Sequence, residues 1–256
     1  MSAKIALPEV VTHYYLAGRQ PFLSVSELED PELDAVLAEL SMLRDAGRQH
    51  RPFGPRYMQL RRLTEARLRK HFIALGGQPD RAAPHYFVLG ESPWYRGLAE
   101  NMAQVQLPLS ALPPTQTSIT YPDSFTAMGF GEQFGIGHEP RPYHARVFLV
   151  GELPDLVEQF GIPDPGWDGD YKAWATWPAE AYIEVQLWSD EPIADYLPLC
   201  ARPPTGGRFA GSATAQTRAR AMASAWLTAR IDGGESAPRY SPSSSLASCS
   251  MQSALA

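Results

Sequence analysis

The sequence has 256 residues, of which 44% are hydrophobic and 20% charged, a composition typical of one globular domain with or without an added tail. The 22 Lys and Arg residues and 28 Asp and Glu residues are unevenly distributed, since only six of the former and two of the latter fall after residue 200. Residues 1–200 therefore carry a formal charge of −10. This charge argues against tight nonspecific binding of nucleic acid. No apolar run is long enough to span a bilayer and the first residues lack the apolar core of a secretory signal, so we expect a cytoplasmic protein with no membrane partner.

Two helices are predicted in the first third of the chain. The first has Asp30 as its predicted cap, ends at Gly47, and carries apolar residues at helical spacing, namely Leu33, Val36, Leu37, Leu40 and Leu43. The second ends at Gly76, and its apolar stripe consists of Tyr57, Leu60, Thr64, Leu68, Phe72 and Leu75. Nine basic and two acidic residues lie between Arg44 and Lys70, so the outer face of the second helix is predicted to be a basic surface on which anions dock.

Short strand-like segments follow, separated by Pro and Gly. They read HYFVLG, AQVQLPL, TSITY, ARVFLV and AYIEVQLW, with one short helix, GELPDLVEQFG, before the last of them. Helices followed by strands predict an α+β fold with a mainly antiparallel sheet. Residues 201–256 are rich in Ala, Ser, Pro and Gly, so we predict one domain over residues 1–200 and a low-complexity, disordered tail over 201–256.

Several simple site patterns find little support. Cys200 and Cys249 are too few for a disulfide framework, and neither they nor the six histidines have the spacing of metal ligands, so no metal site is predicted. The stretch GFGEQFGIG has the wrong glycine spacing for a dinucleotide fingerprint and is interpreted as a mobile loop. In VLGESPW the second glycine of a nucleophile elbow is absent, so a strand that ends in a turn at Gly90 is the better interpretation.

The last predicted strand contains the most informative polar residues. In an extended strand Tyr182, Glu184, Gln186 and Trp188 share one face. The face is either the solvated side of an edge strand or part of a site, because two large aromatic side chains around one carboxylate are unusual on a wet surface. Nearby tryptophans, Trp167, Trp174 and Trp177, either close over a ligand or fill the core.

Asp123 offers a second carboxylate. Together with Glu184 it suggests a Mg²⁺-dependent nuclease, although the usual lysine is replaced by Gln186. The favoured interpretation is that Asp123 caps a short helix, DSFTAM, by accepting hydrogen bonds from its free N–H groups.

Read in order, several blocks resemble the DarT-type ADP-ribosyltransferases, toxins that cleave NAD and attach ADP-ribose to DNA bases, or a related bacterial family. The blocks are VTHYY, QLRRLTEARL, PHYFVLGESPWY, SITYPDSFTAM, YIEVQLW and PIADYL, and they cover residues 11–197. The resemblance implies an ADP-ribosyltransferase-like fold, NAD as substrate and a nucleic-acid base as acceptor. If transfer depends on contact with a cellular target, we also expect a neutralising partner protein.

The resemblance also assigns roles to residues. It implies that Glu184 is the catalytic carboxylate, that Arg62 binds the NAD phosphates, and that Thr12 and His13 lie near the nicotinamide. Within that assignment Tyr86 or Tyr121 stacks on the nicotinamide, and Gln186, one pleat from Glu184, orients the acceptor. The early block lacks a second histidine and LGESPW lacks an arginine found in the family, so a noncatalytic nucleotide-binding or regulatory module stays open as an alternative.

Overall fold

The computed structural model describes residues 6–51, 56–130, 139–163, 169–173, 177–178 and 180–197. Its helices are α1 (Asp30–Asp45), α2 (Tyr57–Ala74), α3 (Pro93–Arg96), α4 (Ser124–Ala127) and α5 (Leu153–Phe160). Its strands are β1 (Val10–Leu16), β2 (His85–Leu89), β3 (Met102–Pro108), β4 (Thr117–Thr120), β5 (Phe148–Leu149) and β6 (Glu184–Leu187). Short 3₁₀ helices cover Val25–Glu27, Leu109–Ala111, Pro114–Gln116, Val150–Glu152 and Glu191–Tyr196.

The six strands form one antiparallel sheet in the order β3-β1-β2-β6-β4-β5. The predicted α+β class and antiparallel sheet are therefore confirmed. One part of the predicted order is wrong, because β1 precedes the helices and lies in the sheet between β3 and β2. Its sequence, VVTHYYL, is rich in β-branched and aromatic residues, the composition that favours a strand.

Both faces of the sheet are covered. On the first face, side chains of α5 such as Leu153 and Val157 pack with Ile119, Phe87 and Val185 in the larger core cluster. On the second face, α2 and α4 contribute Leu60, Leu68, Phe72 and Ala127 to a cluster that includes Trp188. Glu184 and Gln186 lie on this second face, so the helix face of the sheet carries both apolar packing and the polar residues of interest.

The apolar stripe of α2 is close to the prediction, whereas only Leu33 and Val36 of the five stripe residues predicted for α1 are buried. Residues Tyr57, Leu60, Thr64, Leu68 and Phe72 of α2 are buried as predicted, but Leu75 is 45% exposed because the helix has ended at Ala74. Asp30 is the first residue of α1 and not its cap, a position held by Glu29. Gly90, with φ of 70°, turns the chain after β2 as expected.

The predicted disordered tail over 201–256 and most of the loop GFGEQFGIG lie outside the described residues. The domain boundary at residue 200 also stays a prediction. Among the residues that the structure describes, no helix is both long and apolar enough to cross a membrane.

Candidate active site

Glu184 lies on an interior strand and not on a sheet edge. Strand β6 pairs with β2 on one side and β4 on the other, and Glu184 is registered with Val88 and Thr120. The residue is only 7% exposed, because α4 begins directly over it. The solvated edge-strand interpretation is therefore wrong, and a buried carboxylate in a sheet needs another explanation.

The two carboxylate oxygens of Glu184 differ in their surroundings. Oε1 accepts hydrogen bonds from the backbone N–H of Ser124, at 3.3 Å, and from the side-chain amide of Gln186, at 3.1 Å. Oε2 has no hydrogen bond to any residue in the described ranges. One oxygen is thus fixed by the fold, while the other is available to a ligand.

The pKa of Glu184 is raised to about 7. Burial is the largest cause, followed by the negative charge of Asp123, whereas the hydrogen bonds from Ser124 and Gln186 and the positive charge of Arg61 act in the opposite direction. A carboxyl group with a pKa near neutrality exchanges a proton readily at physiological pH, which suits a general acid or base.

Gln186 occupies a different place from the one predicted for an acceptor-orienting residue. It is fully buried, accepts a hydrogen bond from the Ser118 hydroxyl at 2.8 Å, and donates to the Thr120 hydroxyl at 2.8 Å as well as to Glu184. Because its amide is held by Ser118, Thr120 and Glu184, Gln186 fixes the orientation of Glu184. Both of its donated hydrogen bonds go to these residues, so it does not orient an acceptor substrate.

Tyr86 lies on the same face as Glu184 and Gln186, because it is registered with Gln186 across the β2–β6 pair. Its hydroxyl donates to Glu65 of α2 at 3.1 Å, and its ring is 4.8 Å from the guanidinium carbon of Arg61. Burial, with the charges of Glu65 and Glu184, raises the pKa of Tyr86 well above its ordinary value, so the phenol is protonated at neutral pH.

Arg61, and not the neighbouring Arg62, faces this cluster. Its Nε donates to the Ser26 hydroxyl at 2.8 Å and lies 3.0 Å from Glu65, and its Nη1 donates to the Tyr57 hydroxyl at 3.0 Å. The Nη2 atom has no hydrogen bond to a described residue, so both of its N–H groups remain for an anion.

Arg62 points to the outside of α2. Its side chain is 48% exposed and lies 4.0 Å from Asp30. Adjacent residues on a helix are rotated by about 100°, so only one of the two arginines can face the sheet. The structure therefore does not bring Arg62 to Glu184, and Arg61 faces the cluster instead.

Thr12 and His13 lie on opposite faces of β1. Thr12 is registered with Val88, the residue paired with Glu184, so it shares the face of Glu184, and its hydroxyl donates to the Gly90 carbonyl. The His13 ring lies on the opposite face and stacks on Phe22 at 4.2 Å. It accepts from the Phe22 N–H at Nε2, and its Nδ1 is 2.9 Å from the Tyr86 carbonyl oxygen.

Those contacts make His13 a structural residue. Burial is the main cause that lowers the pKa of His13 to about 4, so the ring is neutral at physiological pH. Its predicted place near the nicotinamide is not supported by this arrangement, because the sheet separates the ring from Glu184.

Tyr121 also belongs to the opposite face. Its ring is 2% exposed and packs 4.6 Å from the ring of Tyr143, and its hydroxyl donates to the Phe160 carbonyl. Of the two tyrosines predicted to stack on nicotinamide, the structure brings only Tyr86 to the face of Glu184.

An aromatic cluster adjoins Glu184 at the start of β6. Tyr182 stacks against Trp94 at 5.9 Å and packs edge-on against Tyr95 at 5.4 Å, while Trp177 packs against Trp94. The hydroxyl of Tyr95 accepts a hydrogen bond from Arg51 at 2.8 Å. Trp188 instead stacks on Phe72 in the core, and Trp167 and Trp174 lie outside the described residues.

Asp123 is the N-cap of α4, as predicted. Its Oδ1 accepts from the backbone N–H groups of Phe125 and Thr126, and its Oδ2 accepts from the Thr126 hydroxyl at 2.7 Å. Within the part of the chain that the structure describes, no three His, Cys, Asp or Glu side chains are grouped so as to hold a metal ion.

Sequence reasoning missed Arg51, Arg61, Glu65 and Tyr95. One signal was present for Glu65, because it follows Thr64 in the buried stripe of α2 and is the single acid among the basic residues from Arg56 to Lys70.

Comparison of the chain with family models, with curated proteins and with solved structures yields no match.

Proposed function

We propose that this protein is an NAD-dependent ADP-ribosyltransferase-like enzyme in which Glu184 is the catalytic carboxylate. The observation that carries the proposal is one face of the sheet on which a buried carboxylate with a free oxygen, the Tyr86 ring and the Arg61 guanidinium lie together. The resemblance of the sequence blocks to the DarT-type family adds support, and the ADP-ribosyltransferase-like fold belongs to the same proposal.

The three groups match the chemical demands of NAD cleavage. When the bond between the ribose carbon and the nicotinamide nitrogen breaks, its electron pair leaves with nicotinamide and positive charge develops on the ribose. A fixed carboxylate stabilises that charge in the transition state. The free Oε2 of Glu184 is the atom assigned to this role.

Binding of the rest of the molecule falls to Tyr86 and Arg61. An aromatic ring offers a flat surface for nicotinamide, and a guanidinium with two free N–H groups suits a pyrophosphate oxygen. An acceptor nucleophile then attacks the ribose carbon and releases its proton to Glu184, whose pKa near 7 suits a general base.

The acceptor that we propose is a nucleic-acid base, supported by the family resemblance and by the basic outer face of α2. A cytoplasmic location and a neutralising partner protein belong to the same proposal, since an enzyme that consumes NAD acts where NAD is abundant and needs control. The nuclease alternative is weakened because both oxygens of Asp123 are used in capping α4.

The test is incubation of the full chain with NAD labelled in the adenylate part, beside the variant Glu184→Gln. We expect the wild type to release nicotinamide and to transfer label to one member of a panel of single-stranded DNA, duplex DNA, RNA and protein. We expect Glu184→Gln, which keeps shape and loses charge, to be slower by about 100-fold or more. Glu158→Gln, an exposed position on α5, is the matched control. Binding of NAD without nicotinamide release would favour the noncatalytic module.

A further inference from the structure

Glu65 is a buried carboxylate to which the proposed chemistry assigns no step. It lies on the inner side of α2 and is 4% exposed. An ionised carboxylate out of contact with water is unfavourable by several kcal/mol unless charged or hydrogen-bonding partners compensate it. The partners of Glu65 therefore indicate what the residue is for.

All of its described contacts converge on one oxygen. Oε1 accepts from the Ser26 hydroxyl at 2.8 Å and from the Tyr86 hydroxyl at 3.1 Å, and it lies 3.0 Å from Nε of Arg61. These partners come from the 3₁₀ helix Val25–Glu27, from β2 and from α2 itself. One atom thus joins three separate segments of the chain.

The convergence fixes the relative geometry of Tyr86 and Arg61. The hydrogen bond from Tyr86 sets the position of the phenol ring along its long axis, and the ion pair sets the plane of the guanidinium. Ser26 closes the arrangement, since its hydroxyl donates to Glu65 and accepts from Arg61 at 2.8 Å. Without the carboxylate, the Tyr86 hydroxyl would lose its hydrogen bond, and Arg61 would keep only its bonds to Ser26 and Tyr57.

We propose that Glu65 is the positioning residue of the NAD site, holding Tyr86 and Arg61 in the orientation in which they receive nicotinamide and pyrophosphate. This inference rests on the proposed function and adds to it a residue that touches neither the ribose nor the bond that breaks. Its contribution is to binding, whereas that of Glu184 is to the chemical step.

The experiment measures KM and kcat for nicotinamide release by the full chain and its Glu65→Gln variant. The amide keeps the shape and an oxygen acceptor but removes the charge that pairs with Arg61. We expect KM for NAD to rise about tenfold while kcat stays within about twofold. The opposite pattern, a fall in kcat with KM unchanged, is expected of Glu184→Gln. Glu39→Gln is the matched control, because it also breaks an ion pair of a helical glutamate, with Arg19.

A double-mutant cycle shows whether Glu65 acts through Tyr86. Tyr86→Phe keeps the ring and removes the hydroxyl that donates a hydrogen bond to Glu65. The double variant with Glu65→Gln is therefore expected to raise KM by less than the product of the two single effects. If Glu65→Gln does not fold, Tyr86→Phe alone carries the test and is expected to raise KM with kcat retained.

Two outcomes overturn the inference and are distinct from failure of the proposed function. KM values equal to that of the wild type in Glu65→Gln and Tyr86→Phe would remove the positioning role while leaving NAD cleavage intact. Multiplied effects in the double variant would show that the two residues act independently. A wild type that neither binds nor cleaves NAD would overturn the proposed function and the inference together.

Discussion

Glu184 experiences opposing influences at the scale of a single residue. Burial and the charge of Asp123 favour its neutral form, while Gln186, Ser124 and Arg61 favour the ionised form. The balance places its pKa at about 7, against an ordinary value of 4.5. For His13, on the other face of the sheet, burial outweighs the hydrogen bond to the Tyr86 carbonyl and lowers the pKa, so the ring is neutral.

The raised pKa predicts a pH dependence of stability that Glu184→Gln removes. Between pH 4.5 and about 7 the folded protein holds a proton that the unfolded chain releases, so the free energy of unfolding contributed by Glu184 is fully present below pH 4.5 and is lost as the pH rises through 7. Urea unfolding of both proteins at about pH 5 and about pH 8.5 is expected to show the wild type losing up to about 3 kcal/mol relative to the variant. A difference between the two proteins that does not change with pH would contradict the assigned pKa.

At the scale of secondary-structure elements, the short helix α4 links the cap to the site. Asp123 caps the helix through its Oδ1, and the first N–H of the helix, from Ser124, holds Glu184. The fold thereby places a second carboxylate close enough to raise the pKa of Glu184.

The substitution Asp123→Asn removes the negative charge of this residue and leaves an oxygen that can still cap α4. This variant is expected to keep the cap, since an amide oxygen also accepts from the helix N–H groups, with a change in stability below about 1 kcal/mol. Loss of the charge lowers the pKa of Glu184, so the acid limb of kcat/KM against pH is expected to move to lower pH. If the wild type instead required Mg²⁺ for activity and Asp123→Asn abolished that activity, the nuclease alternative would be supported.

The elements also show how far the sequence alone could lead. Apolar periodicity located α1 and α2, and Pro and Gly marked the ends of β2, β3, β4 and β6. The face of the helix on which a side chain lies was harder to predict. Arg61 and Arg62 are adjacent in sequence, and the packing of the α2 stripe against the sheet decides which of them faces inward. Alternation placed Glu184 and Gln186 on one face correctly, but whether that face was wet depended on α2 and α4, which are distant in sequence.

At the scale of the whole molecule, charge is separated between an acidic body and the basic outer face of α2. Arg62 is 48% exposed and Lys70 is also exposed on that helix, apart from the cluster that contains Glu184. Such an arrangement allows an anionic polymer to bind locally although residues 1–200 carry a net charge of −10.

The pair of substitutions Arg62→Ala and Lys70→Ala tests this surface. Transfer of ADP-ribose to nucleic acid is expected to weaken, and the slope of log affinity against log salt concentration to decrease by about 2, since one phosphate contact is lost with each cation. Nicotinamide release without an acceptor is expected to stay at the level of the wild type. A rise in KM for NAD in the Arg62→Ala variant alone would restore that residue to the NAD site, and an unchanged salt slope would exclude the α2 surface from nucleic-acid binding.

The catalytic role of Glu184 is tested most directly by nicotinamide release from NAD by the purified full chain, with Glu184→Gln measured under the same conditions. We expect release by the wild type and a loss of about 100-fold or more in the variant, with thermal midpoints that show both proteins folded. Equal rates in the two proteins, or no release by a folded wild type in the presence of every acceptor class, would contradict the assignment of Glu184 as the catalytic carboxylate.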